Sequence, residues 1–419
     1  MMLQRPLSCV ATWLVSLGLA SAATAEAVPE QSSEASSVPG LRQALEQGVL
    51  RVDLRYRLEG VDDEAFDTDA VASTLRGVLS YKTQSFRGFS AGVSFETVSP
   101  IGNNALYNNL GHEDLWNGVT NRPAVADPKI TEVDHIYLAY RGPAGLEARA
   151  GRFAYTLDNQ RFVGIAGWRQ NHRSYEGLSL AFGSREVLRA SYAYLRRVHY
   201  NNGANPDIDA HLLHLSRELG PGSLSGYAYL LDWENDDRAA LSSATYGLRY
   251  AGSSSWRPWE VLYFAEYARQ LDHGDNPASF SLDYAHLGLG LQKGGWSVQA
   301  AWELKDGDGM SAVQTPLGTN HGKNGFADRL VATPPEGSHD VYVRLAMERK
   351  RWSWLLDYHD FLAARGSARL GQEVDFQASY QPTDPLTLHL KVAHYMADTW
   401  LTDISKVMVW ASWSFETSF

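Results

Sequence analysis

Residues 49–59 read Val-Leu-Arg-Val-Asp-Leu-Arg-Tyr-Arg-Leu-Glu, and this alternation of apolar and charged residues decides the interpretation of the chain. Side chains of a β-strand point alternately to its two faces. One face of this strand would carry leucine, valine and tyrosine, and the other only charged residues. A single strand of this kind fits a soluble sheet as well as it fits a strand between lipid and water. Repetition of the pattern has to distinguish the two.

The same period-two pattern recurs in segments of roughly ten residues as far as the C-terminus, as in transmembrane strands. Clear examples are residues 89–97, 296–305 and 373–380. Less regular segments include 243–250, and the first long loop is predicted at 60–72. We count about 18 such segments, which is within the range of outer-membrane barrels. The last segment, 405–419, places the terminal Phe419 on its apolar face. The sequence therefore predicts an all-β protein built from about 18 strands.

The connections between these segments alternate between two lengths. Short turns rich in Gly, Pro and Asp, such as 142–145, alternate with longer segments, of which 99–130, 154–174 and 306–339 are the longest. Outer-membrane barrels have short turns on one side of the membrane and long loops on the other, whereas a β-propeller or sandwich needs no such asymmetry. We therefore predict a transmembrane antiparallel up-and-down β-barrel.

Composition and the N-terminus agree with an exported protein. The mean hydropathy of -0.31 argues against a polytopic helical membrane protein, and the net charge of -11 disfavours nucleic-acid binding. Residues 1–25 have the form of a signal peptide, 26–47 are predicted to be a flexible lead-in, and 48–419 to be the barrel. The single cysteine, Cys9, lies in the signal, so no disulfide is expected. Periplasmic, secreted and outer-membrane locations remain, and the barrel pattern favours the Gram-negative outer membrane.

If the apolar face contacts lipid, the polar face lines a lumen. Arginines on this face would concentrate anions, and interleaved carboxylates would limit that field. The alternative is a wall whose charges neutralise one another and which has little selectivity. The predicted pore-lining residues are Arg51, Asp53, Arg55, Arg57, Glu59, Arg76, Glu96, Arg149, Arg152, Arg189 and Arg344. Tyr56, Tyr81, Tyr140, Trp352, Trp354 and Trp410 lie near strand ends, where an aromatic girdle is expected.

The third long segment, 154–174, is dense in arginine, amide and aromatic residues, and folding inward would make it a constriction. Arg152, just before it, has the wrong parity for the lumen unless a bulge lies near Gly151. The predicted constriction residues are Asp158, Asn159, Arg161, Trp168, Arg169 and Asn171.

This segment, with residues 54–59, 314–328 and 358–361, resembles the alginate-export (alginate porin-like) family of outer-membrane proteins. The resemblance implies an 18-stranded monomeric barrel with a pore, and leaves the substrate open. It covers essentially the whole predicted barrel.

Three interpretations of function follow. Two concern passive transport: passage of anionic or sugar-type solutes, including export of an acidic polysaccharide such as alginate, or general diffusion of nutrients without strong selectivity. The third, an outer-membrane enzyme, is less favoured because no nucleophile elbow, zinc motif or phosphate loop is present. We expect no cofactor and no metal. Expected partners are outer-membrane lipid, lipopolysaccharide, the solute and the barrel-assembly machinery, but not nucleic acid.

Overall fold

The computed structural model describes residues 40–419. The predicted signal peptide and most of the lead-in lie outside the described residues. Where the lead-in is described, residues 41–46 form a short helix, α1 (Leu41–Glu46), immediately before the first strand. Four short 3-10 turns lie in the connections between strands, at Asn104–Leu106, Glu113–Leu115, Pro143–Gly145 and Asp236–Leu241.

Within residues 40–419 the chain forms 18 β-strands, as predicted. Their bounds are β1 (Val49–Asp63), β2 (Ala70–Lys82), β3 (Phe89–Pro100), β4 (Ile130–Arg141), β5 (Glu147–Phe153), β6 (Ser174–Ser184), β7 (Leu188–His199), β8 (Asp207–Leu219), β9 (Gly222–Trp233), β10 (Ser243–Trp256), β11 (Trp259–Asp272), β12 (Ser281–Lys293), β13 (Trp296–Lys305), β14 (Ser338–Arg349), β15 (Trp352–Ala363), β16 (Arg369–Thr383), β17 (Leu386–Ala397) and β18 (Ile404–Ser418).

The strands form one closed antiparallel barrel. Each strand pairs with the next along the chain, and β1 also pairs with β18 over its whole length, from Val49 opposite Ser418 to Asp63 opposite Ile404. Closure leaves no strand edge with unpaired backbone groups, which is the condition for a sheet to lie in hydrocarbon. The predicted fold class is therefore confirmed.

The two faces of β1 are separated as the alternation predicts. Leu54 and Leu58 are 42% and 43% exposed on the outside, whereas Arg57 and Glu59 are 2% and 0% exposed inside the barrel. Apolar side chains on the outside of the other strands continue this belt, including Phe95, Ile136, Leu138, Leu248, Leu289, Val343 and Val409. Exposure of so much apolar surface to water would be unfavourable, so the outer face is suited to lipid.

One member of the predicted aromatic girdle was assigned to the wrong face. Trp410 is only 6% exposed, and its ring stacks inside the barrel on His389, with ring centroids 4.6 Å apart. The reason is parity, since its neighbours Val407 and Val409 face outward and residue 410 must then face inward. Trp352, by contrast, is exposed at the start of β15.

The alternation of short and long connections is also observed, with two corrections of boundary. β10 continues to Trp256 and turns into β11 over residues 257–258, whereas the sequence predicted its end near Tyr250. Residues 251–255 are alanine, glycine and serines, so no apolar alternation marks them as strand. Conversely, the loop predicted at 60–72 shortens to 64–69. Among the described residues, no helix is long and apolar enough to cross a membrane.

The lipid-facing assignment makes a direct prediction for Leu54→Arg. A charged side chain on the lipid face near the middle of β1 should destabilise the barrel by about 2–4 kcal/mol. Urea unfolding of the barrel refolded into lipid vesicles measures this loss. Met310→Arg is the control, because Met310 is 88% exposed in a loop and should tolerate the charge. Equal stability of the two variants would contradict a lipid contact at Leu54.

Candidate pore constriction

The third loop, residues 154–173, folds into the barrel and does not extend from its rim. Phe162 lies against the inward rings of Tyr227 and Tyr284, with centroids 5.6 Å and 5.0 Å apart, and Val163 and Ile165 are buried in the same cluster. Burial of these apolar side chains draws the loop against one side of the barrel wall.

Arg161 anchors this loop to β13, the strand next to Tyr284 of β12. Its Nη2 lies 2.5 Å from Oε2 of Glu303 on β13, and its Nη1 donates to Oδ1 of Asn324 at 3.1 Å. Burial alone would lower the pKa of Arg161, but the charge of Glu303 outweighs this effect and holds the pKa above its ordinary value. The predicted constriction residue Arg161 is thus paired, and Glu303 largely neutralises its charge while the pair holds the loop.

Asp158 and Asn159 also hold the loop in position. Asp158 accepts hydrogen bonds from Ser225 and pairs with Nε2 of His214, both at 2.9 Å, so it attaches the loop to β8 and β9. Asn159 accepts the backbone N–H of Arg161 at 3.0 Å, which closes a local turn.

The far end of the loop crosses to β1. Arg55 donates to the backbone carbonyl of Arg169 at 3.0 Å, and Arg57 donates to that of Trp168. The Arg169 side chain lies 3.2 Å from Glu59 and 3.7 Å from Asp127. Burial alone would lower the pKa of Arg169, but these carboxylates raise it above its ordinary value. Three of the predicted wall residues therefore meet the predicted loop residues.

The last turn of the loop contacts β4. Asn171 donates to Oε1 of Glu132 at 3.0 Å, and Arg152 bonds the same carboxylate and Oγ of Ser174. Gln170 was missed by the sequence analysis. It is fully buried, and its backbone N–H donates to Asp127 at 3.0 Å.

A second inward loop, residues 306–337, was not expected to share the site. We call it the seventh loop. The ring of His321 stacks on Trp168 of the third loop at a centroid distance of 3.4 Å and an interplanar angle of 10°. Lys391 of β17 lies 2.7 Å from Nε2 of His321, whose Nδ1 faces Asp328 at 2.8 Å. Asp328 in turn pairs with Lys406 of β18 at 3.0 Å.

Charges around His321 fix its protonation. Burial and the nearby Lys391 lower the pKa of His321 well below its ordinary value, so the ring is neutral at pH 7. A neutral ring can accept from Lys391 at Nε2 and donate to Asp328 at Nδ1, which matches both distances. The imidazole of His321 thus links the third and seventh loops to β17, and Asp328 extends this link to β18.

Many of the predicted wall arginines are neutralised by direct partners. Arg76 pairs with Glu96 at 2.5 Å, and Arg344 binds both oxygens of Asp357 at 2.8 Å and 2.6 Å. Arg149, by contrast, makes a cation–π contact with the ring of Tyr137, with Cζ 4.9 Å from the ring centroid. Arg51 and Arg189 pair with Asp53 and Glu147, both at 2.8 Å, near the short-turn ends of their strands and away from the loops. The wall is therefore closer to the neutralised alternative.

Lys323 of the seventh loop differs from these paired cations. Among the described residues, its side chain has no hydrogen bond or ion pair. Burial and the positive charges of Arg161, Arg344 and Arg249 lower its pKa to about 7, against the opposing charge of Glu303. An incompletely neutralised positive region therefore lies beside the two loops.

Comparison with known proteins identifies the fold. No family model matches the chain, and no curated protein matches it. Solved structures do: OpdK of Pseudomonas aeruginosa with vanillate has a TM-score of 0.72 at 11% identity, over 89% of this chain and 100% of that chain. OccK9 (OpdG) of Pseudomonas aeruginosa has 0.71 at 13% identity, over 88% and 98%. OccAB2 of Acinetobacter baumannii has 0.69 at 15% identity, over 89% and 99%. The chain shares the fold of these proteins.

The resemblance to the alginate-export family was wrong. The similar solved structures named above are Opd and Occ proteins, and no family model, alginate-export included, matches the chain. The quoted motifs are short runs of Arg, Gly, Asn and aromatic residues, which strand ends and inward loops of any such barrel require.

The anchoring of the third loop makes a prediction for Arg161→Ala. Removal of the guanidinium leaves the buried Glu303 carboxylate with hydrogen bonds from Tyr284 and Asn324 but without its ion-pair partner, and should cost about 3–5 kcal/mol of loop docking. The released loop should then be cut by trypsin after Arg169 or Arg173, as mapped by mass spectrometry. The control, Arg189→Ala, breaks a more exposed pair that contributes about 0–1 kcal/mol. A protected loop in Arg161→Ala would show that this pair does not hold it.

Proposed function

We propose that this protein is a passive channel for small solutes in the Gram-negative outer membrane. The observation that carries the proposal is the closed 18-strand barrel, apolar outside and charged inside, with two loops anchored within it. Such an interior admits water and solutes, and the inward loops narrow it. The likeness to the outer membrane protein OpdK supports this location, and passive passage of a solute involves no chemical step.

General diffusion of small nutrients is the form of this function that the observations favour. Wall arginines such as Arg76 and Arg344 are matched by carboxylates at contact distance, which weakens any field along the wall. The proposal also includes a monomeric barrel. Its expected partners are outer-membrane lipid, lipopolysaccharide and the barrel-assembly machinery. Reconstitution into planar bilayers tests it, because discrete conductance steps are expected, and a protein that inserts without conducting would exclude a channel.

A modest preference for small carboxylates is a second, finer part of the proposal. The arginines near Lys323, which are Arg161, Arg249 and Arg344, pair with Glu303, Glu266 and Asp357. Within residues 40–419, the ammonium of Lys323 is therefore the charge without a contact partner beside the two loops, and it favours anions there. Vanillate, the molecule in one OpdK structure, is an aromatic carboxylate and a suitable first solute to test.

The pKa of Lys323 makes this preference pH-dependent. With a pKa lowered to about 7, its ammonium is charged below pH 7 and neutral above it. The other charged groups that act on Lys323 are Arg161, Arg249, Arg344 and Glu303. The ratio of anion to cation permeability should therefore fall between pH 6 and pH 8, as measured by reversal potentials across bilayers with a salt gradient.

Two variants test whether Lys323 is responsible. Lys323→Gln should lower the ratio at pH 6 to its pH 8 level and remove the pH dependence. Lys350→Gln, in the short turn between β14 and β15, is the control and should behave as the wild type. A cation preference in the wild-type channel at pH 6 would contradict the anion preference but leave the channel itself in place.

A further inference from the structure

Three possible metal ligands meet where the third loop returns to the barrel wall. They are Asp134 and His135 of β4 and His172 of the third loop, and their ligand atoms all lie within 4.8 Å of one another. The rings of His135 and His172 are 5.3 Å apart. The sequence analysis expected no metal, and none of these residues was among its candidates.

A β-bulge brings the two neighbours on β4 to the same side. Ser94 of β3 pairs with His135 and Phe95 pairs with Val133, so Asp134 is an extra residue without a partner in the ladder. A bulge of this kind interrupts strict alternation, and both Asp134 and His135 then turn toward the third loop. Bulges recur beside functional sites because they redirect side chains in this way.

The polar atoms of this cluster are left without hydrogen bonds. Oδ1 of Asp134, Nε2 of His135 and Nε2 of His172 are buried and have no partner within the described residues. Asp134 is 1% exposed and His172 is 5% exposed. The Asp134 carboxylate lies 3.3 Å from each ring without forming a hydrogen bond to either. Buried polar atoms are rarely left unsatisfied, so three within one cluster need an explanation.

Surrounding residues are arranged as around a bound metal. Nδ1 of His172 lies 3.5 Å from Oε2 of Glu96 and 3.3 Å from Nη2 of Arg76, which itself pairs with Glu96; donation from Nδ1–H to Glu96 is the tautomer that leaves Nε2 free to bind a metal. Ser94 donates to the other oxygen of Asp134 at 3.2 Å and orients that carboxylate. Histidine ligands commonly donate their second N–H to a carboxylate in this way.

Charge and size also suit a divalent transition metal. Two histidines and one carboxylate are typical ligands of Zn²⁺ and its neighbours, at about 2.0–2.2 Å from the ion. Ligand atoms of a tetrahedral site lie about 3.4 Å apart, so closure around an ion needs shifts on the order of 1 Å. The local groups are three carboxylates, Asp134, Glu96 and Glu132, against the two guanidiniums of Arg76 and Arg152. Their sum is one negative charge.

We propose that Asp134, His135 and His172 bind a zinc-class divalent transition metal, with water completing the coordination, and that this metal fastens the third loop to β4. Since His172 belongs to the loop and the other two ligands to the wall, the ion would cross-link them directly. This site does not depend on the transport of any solute.

The test uses the full barrel in detergent, stripped with a chelator and then titrated with Zn²⁺ against a fluorescent competitor. We expect one ion per chain. Co²⁺ should give visible absorption bands of a four-coordinate site, and Zn²⁺ should raise the unfolding temperature. His172→Ala and Asp134→Asn should each weaken Zn²⁺ binding at least tenfold and abolish the Co²⁺ bands.

The matched control is His211→Ala. His211 lies beside Asp209 at 3.3 Å but has no third ligand nearby, so the variant should bind Zn²⁺ as the wild type does. Heat-modifiable migration in gels establishes that each variant is a folded barrel. Wild-type protein that shows no Co²⁺ bands, or folded His172→Ala and Asp134→Asn that bind Zn²⁺ as tightly as the wild type, would overturn the proposal.

Discussion

The structure depends on the requirement that every backbone N–H and C=O within hydrocarbon be paired inside the protein. An open sheet leaves two unpaired edges, and closure of β1 on β18 removes them. Closure in turn fixes which side chains contact lipid, because alternate residues of every strand must face opposite sides. The apolar belt and the charged interior are both consequences of that one pairing.

The charged side chains inside such a barrel need partners of opposite charge. Arg57, Glu59, Arg161 and Glu303 are almost completely buried, and an isolated charge in that environment would be strongly unfavourable. The inward loops supply the opposite charges and the backbone carbonyls. The third and seventh loops are thus part of the electrostatic balance of the wall, as well as the elements that narrow the lumen.

The strand content and the orientation of β1 could be predicted from sequence because a period of two is visible over ten residues. Trp410 was misplaced because proximity to a strand end was used for it in place of parity. The bulge at Asp134 escaped notice because one extra residue reverses the faces that alternation assigns, and nothing in a single sequence marks its position.

The partners of the loops could not be predicted for a different reason. Arg161 meets Glu303, which is 142 residues away along the chain, and Trp168 meets His321. Local patterns report which face a side chain occupies, but they contain no information on which strand lies across the barrel. The density of arginine and aromatic residues in 154–174 drew attention to the right segment, whereas the seventh loop was noticed only through a resemblance that was wrong.

The attachment of the third loop to β1, β4, β8, β9 and β13 has a consequence for biogenesis. These strands are spread around the circumference, so their inward side chains come to the required separations only after the first and last strands have met. The complete set of loop contacts therefore exists only in the closed barrel. We expect an ordered third loop to report that the seam between β1 and β18 has closed.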